Sequence, residues 1–269
     1  MQRSARAFLF TLAFFAVARL QAQSHETGFL NRTVSVAGVT YRYQVYVPMD
    51  WSANKKWPII LSLHGAGERG EDGLAQTQVG IGAALRLHAD RYPAIVVMPQ
   101  CRKDVWWQDA AMEAQALAAL DQSVKEFQTD PERVYLTGLS MGGYGSWAWL
   151  QKYPGKFAAA AIICGGIVRP RPRGAPEEMV DANVDPYAEA AKKIGNVQPI
   201  WIFHGGADPV VPVGESRKML DALKTLGSHA KYTEYEGVGH NSWDKAYAEP
   251  ELANWMFAQS LNAQKNATR

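Results

Sequence analysis

A chain of 269 residues, 47% hydrophobic and 20% charged, is long enough for one sizeable core and suits a single α/β domain. Its formal net charge of +2, with lysines and arginines scattered and no basic tract, offers nothing for nucleic acid to bind and reads as a solvated surface. At the start, Arg3 and Arg6 precede an apolar run from Ala7 to Ala18, and Ala22 offers a small residue for cleavage. That order predicts a signal peptide over 1–23 and an exported folded body over 24–269, periplasmic or secreted. The apolar run is short for a bilayer span, so no stable membrane insertion is expected after cleavage; an uncleaved anchor is the rival reading.

The hairpin comes next: residues 33–47 alternate in polarity and break at Ala37-Gly38. Continuous apolar runs at 57–63, 94–98, 134–137, 157–163 and 199–203 predict buried strands, followed by a last strand over 230–235. Helical spacing predicts helices over 81–88, 113–127, 141–153 and 216–226, and one closing helix over 243–261. Strands alternating with helices predict a mostly parallel eight-stranded sheet covered on both faces, in one domain. The irregular stretch 165–185, with Arg169, Pro170 and Arg171, is too short for a large cap domain and leaves the site open. Cys101 and Cys164 each follow a strand. If those strands lie three steps apart they stand about 14 Å from each other, beyond disulfide reach, so both are expected free.

Gly138-Leu139-Ser140-Met141-Gly142 spells G-x-S-x-G between a predicted strand and a predicted helix. In a chain with 23 glycines the pattern alone could be an ordinary turn. The flanking strand and helix make it a nucleophile elbow, a turn that lifts a serine hydroxyl above the sheet. Serine needs a base to take its proton and a carboxylate to orient that base, in the chain order serine, acid, histidine. Asp208 follows the strand over 199–203, and His240 follows the last strand. Asp181 and Asp185 compete for the acid but lie in the irregular stretch. Among the other histidines, His25 and His229 read as surface or tail residues, and His88 ends a helix. His64 and His204 each precede a glycine after a strand and suit hydrogen bonds to loops.

A tetrahedral oxyanion needs two fixed N–H donors. Met141, just after the serine, supplies one. The loop His64-Gly65-Ala66-Gly67 supplies the other, from Ala66 with Gly65 as second choice. Trp106, Trp107, Tyr144 and Trp243 are candidate substrate-binding residues, suited to stacking on an aromatic or sugar-bearing ester. Glu68, Glu71 and Asp72 lack nearby His or Cys and read as a solvated loop, so neither metal nor cofactor is expected.

Together, His64-Gly65-Ala66-Gly67-Glu68-Arg69-Gly70, the elbow with Gly143, His204-Gly205-Gly206-Ala207-Asp208 with Val211-Pro212, and Gly239-His240 resemble secreted single-domain esterases of the α/β-hydrolase superfamily. The likeness covers residues 30–261. It is similar to the phospholipase/carboxylesterase and feruloyl-esterase-like groups, some of them predicted peptidases related to prolyl oligopeptidase. The resemblance implies a Ser140–His240–Asp208 triad and an oxyanion hole of Ala66 and Met141. It also implies hydrolysis of short-chain or aromatic esters, acetyl or feruloyl in type, small or linked to polysaccharide. A peptidase or amidase using the same triad, and a non-catalytic carbohydrate-binding protein on a hydrolase fold, are the alternatives.

Overall fold

The structure is a computed structural model that describes residues 26–170 and 184–267. The expected signal peptide, the acid candidate Asp181 and most of the expected open stretch lie outside those residues. Eight strands form one sheet in the order β1-β2-β4-β3-β5-β6-β7-β8. β1 (Gly28–Val36) and β2 (Val39–Val47) make the antiparallel hairpin. Ala37 and Gly38 turn it with φ of 49° and 80°, the two left-handed residues that match strand twist. β2 also runs antiparallel to β4 (Ile95–Pro99). From β4 onward every neighbour is parallel: β3 (Ile59–Leu63), β5 (Val134–Leu139), β6 (Ala159–Ile163), β7 (Ile200–Gly205) and β8 (Lys231–Tyr235).

Every residue of β3, β4, β6 and β7 is buried, because both sheet faces are covered. Ile59, Leu61 and Leu63 point into one core with Trp147, Trp149 and Leu223, while Ile60 points into the other with Leu85, Tyr247 and Met256. The first core is roofed by α2 (Ala110–Phe127), α3 (Met141–Lys152), α4 (Pro186–Ile194) and α5 (Gly214–Thr225). The second is roofed by α1 (Ile81–Leu87), α6 (Trp243–Ala248) and α7 (Leu252–Phe257), and α8 (Leu261–Ala267) follows.

Three helices depart from the sequence reading. The single closing helix is three short ones, because Pro250 cannot donate to a helical ladder and ends α6. α2 begins at Ala110, a turn earlier than expected. α4 was not anticipated at all, although Asp185 caps it by accepting from the Tyr187 N–H, with Pro186 opening its first turn. Cys101 and Cys164 are buried and free, each just past a strand, and those strands lie three steps apart as expected. No described helix is long and apolar enough to cross a membrane.

Candidate active site

The elbow is built by close backbone approach. A methyl group at Gly142 would fall 1.9 Å from the Leu63 carbonyl oxygen, and one at Gly138 would fall 2.3 Å from that of Gly142. Only glycine lets α3 begin pressed against the end of β3. Ser140 itself sits at φ 51° and ψ −117°, in a sparsely populated region that a non-glycine residue occupies at a cost. Its N–H is held by the Ile163 carbonyl at 2.9 Å, and its own carbonyl accepts the Tyr144 N–H at 3.0 Å. The strained turn is thus fixed from both sides.

Three side chains from three loops converge. Ser140 Oγ lies 2.9 Å from His240 Nε2, and His240 Nδ1 lies 2.7 Å from Asp208 Oδ2. With Asp208 ionised, the Nδ1 proton faces the carboxylate and Nε2 is left to accept from the serine hydroxyl. Asp208 Oδ1 accepts the N–H groups of Val210 and Val211 at 2.8 and 3.0 Å. Its side chain is fully buried, whereas the His240 ring keeps 19% exposure toward the surface. The Trp243 ring stands edge-on to His240 at 5.3 Å and limits its rotation.

His204 is a further member that the sequence reading placed only as a loop binder. Its Nε2 lies 3.0 Å from the Val211 carbonyl and 3.3 Å from Asp208 Oδ2, and Nδ1 lies 2.7 Å from Ser216 Oγ. Burial lowers its pKa, so the ring is neutral, with Nε2 donating and Nδ1 accepting from the serine. It therefore clamps the loop that carries Asp208. The available signal was its place at the end of β7, four residues before the acid.

Ala66 and Met141 each occupy the first position of a helical turn, so neither N–H has an acceptor within its own helix. The loop carrying Ala66 lies against the serine: a methyl group at Gly65 would stand 3.7 Å from Ser140 Cβ. His64 ties that loop down. Its Nδ1 lies 2.6 Å from the Gly65 carbonyl, and its Nε2 accepts the Cys101 N–H at 2.9 Å. Burial lowers the His64 pKa to about 4, which keeps the ring neutral for this pair of roles.

The aromatic candidates separate. Trp107 is wholly buried, which corrects its reading as a substrate wall. Its indole N–H donates to the His64 carbonyl at 2.9 Å, and its ring packs edge-on against those of His64 and Trp149. It is a strut beneath the loop of His64 to Gly67. Tyr144 is also buried, with its ring edge-on to Trp106 at 5.8 Å. Trp106 and Trp243 are partly exposed. Glu71 pairs with Arg102, and Asp72 accepts from Leu74 and Ala75, so those two acids serve the loop. Cys164 has its sulfur within 4.8 Å of donor atoms of Asp208 and His240. Burial pushes its thiol up to about 12, which makes it a neutral packing group.

Known proteins place this arrangement in context. A crystal structure of a thermostable esterase superposes with a TM-score of 0.72 at 32% identity, covering 86% of this chain and 63% of that one. A feruloyl esterase module from Clostridium thermocellum, complexed with sinapinate, shares the fold with a TM-score of 0.63 at 16% identity, covering 85% and 87%. The carboxylesterase SOBER1 of Arabidopsis thaliana is 29% identical over 128 residues, 48% of this chain. The chain spans about half the length of that curated relative. The α/β-hydrolase architecture is thereby established. A match to the family model named Esterase runs over residues 35–265, which include Ala66, Ser140, Asp208 and His240, and the chain belongs to that family.

Proposed function

We propose that the protein is a serine carboxylesterase working through an acyl-enzyme. The observation that carries this reading is the unbroken relay from Ser140 Oγ through His240 to Asp208, at 2.9 and 2.7 Å, on a strained elbow beside two N–H groups without helical acceptors. His240 Nε2 takes the serine proton as Oγ bonds to the ester carbonyl carbon. The carbonyl oxygen becomes an oxyanion facing the Ala66 and Met141 N–H groups. Collapse breaks the bond to the alcohol oxygen, which leaves with the proton from His240. A water then attacks the acyl-serine, giving its proton to His240, and the acid departs as Ser140 recovers a proton. Asp208 holds the imidazole in its tautomer and stabilises the imidazolium throughout.

The substrate class proposed for the site is a small or polysaccharide-linked ester with an acetyl or hydroxycinnamoyl acyl group. Support comes from the partly exposed Trp243 and from the carboxylesterase relative. The body from residue 24 onward is proposed to act outside the cytoplasm after cleavage of 1–23. Ser140→Ala should lower p-nitrophenyl acetate hydrolysis at least about a thousandfold. Retention of wild-type turnover by that variant would end the assignment. The ratio of kcat/KM for methyl ferulate to that for p-nitrophenyl acetate sorts the acyl class. Near or above one it means a hydroxycinnamoyl pocket, and far below one it means a small acyl pocket.

A further inference from the structure

Trp106 is occupied in an unexpected way. The Arg169 guanidinium lies 4.5 Å from the centre of its ring and that of Arg69 lies 5.4 Å away. The indole is therefore a platform that fixes two cations, rather than a bare surface for stacking. Its backbone is fixed in turn, because the Trp106 N–H donates to Asp109 Oδ2 at 2.7 Å. The other oxygen of Asp109 is 3.8 Å from Arg169, a loose, half-exposed pair. Among the described residues Arg69 makes no ion pair, and its Nε is buried without a hydrogen-bond partner. Glu68, the adjacent acid, folds back onto Gly65: a methyl group there would stand 3.1 Å from Glu68 Oε2. Two guanidiniums held on one ring bring cationic N–H donors suited to a planar anion to one place.

The position of this pair relative to the relay decides which part of an ester it meets. Along the sheet edge the loops run from β4 (Trp106) and β3 (Ala66, Arg69) to β5 (Ser140), then to β7 (Asp208) and β8 (His240). His240 protonates the departing alcohol, so the alcohol lies on the β8 side of the serine. Arg69 and Trp106 follow β3 and β4, on the other side of the serine. Arg169, although it follows β6, reaches back over that same side, and Tyr144 in the first turn of α3 joins Trp106 to the elbow.

We propose that Arg69 and Arg169, braced on Trp106, form an acyl-side subsite for a carboxylate, so that the preferred substrates are half-esters whose acyl chain carries a second acid group. This rests on the esterase reading above. The test compares methyl hydrogen glutarate with methyl pentanoate, which match in length and differ in charge. The expected result is a kcat/KM ratio favouring the anion in the wild-type chain and falling about tenfold in both Arg69→Gln and Arg169→Gln. Arg69→Lys, which keeps the charge but not the planar fork, should retain only part of the ratio, and salt at about half-molar strength should erode it in the wild type. A ratio unmoved by both glutamine variants, or a wild-type ratio insensitive to salt, overturns the subsite and leaves the esterase standing. Hydrolysis of neither ester by the wild-type chain would instead count against the esterase reading itself, and the subsite would fall with it.

Discussion

Asp208 shows how much of the chemistry rests on single side chains. Its carboxylate is buried, yet it faces His240, two backbone N–H groups and the neutral His204. Asp208→Asn keeps the shape but presents an amide donor to Nδ1, which favours the wrong imidazole tautomer. The expected loss is about 10⁴-fold in kcat with little change in KM, read from steady-state kinetics on p-nitrophenyl acetate. The triad candidates were legible because their order and strand-end positions follow from what a serine nucleophile requires. The surroundings were not. Trp107 and Trp106 are neighbours in sequence, and nothing in two adjacent tryptophans says that one goes under the oxyanion loop while the other carries arginines. That partition is set by the His64 carbonyl, which takes the Trp107 N–H, and by which side of the loop faces α3.

The element that matters most is α3, whose first turn is wedged against the end of β3. Gly142→Ala would set a methyl group 1.9 Å from the Leu63 oxygen, so the helix or the oxyanion loop must shift. Both candidate N–H donors hang on that contact. The variant is expected to lose stability by more than about 2 kcal/mol, within the range for overpacking, and to lose turnover beyond what unfolding explains. Urea titration with activity measured on the folded fraction checks both. Strands were read well here because buried parallel strands are continuous apolar runs. Helix ends were read less well. Pro250 breaks what the apolar spacing alone presents as one helix, and Asp185-Pro186, a cap followed by a first-turn proline, marks α4 with local chemistry that periodicity does not register.

Across the whole molecule, the sheet order brings β5, β7 and β8 loops to one edge, and two buried neutral histidines lock the loops there. Both are held below their usual pKa by burial, His64 at about 4. The unfolded chain binds these protons near pH 6.5 while the folded chain does not, so their stability contribution is complete above 6.5 and is lost as pH falls toward 4. For His64 the loss by pH 5 is about 2 kcal/mol. Urea midpoints at pH 7 and 5 should show that fall in the wild type and a smaller one in His64→Gln. The proposed reaction depends above all on Ser140 acting as the nucleophile. It is tested most directly by treating the chain with a fluorophosphonate and locating the adduct by peptide mass spectrometry. One adduct is expected, on Ser140, absent from Ser140→Ala and slow to form in His240→Ala. An adduct on another residue, or equal labelling of Ser140→Ala, would contradict it.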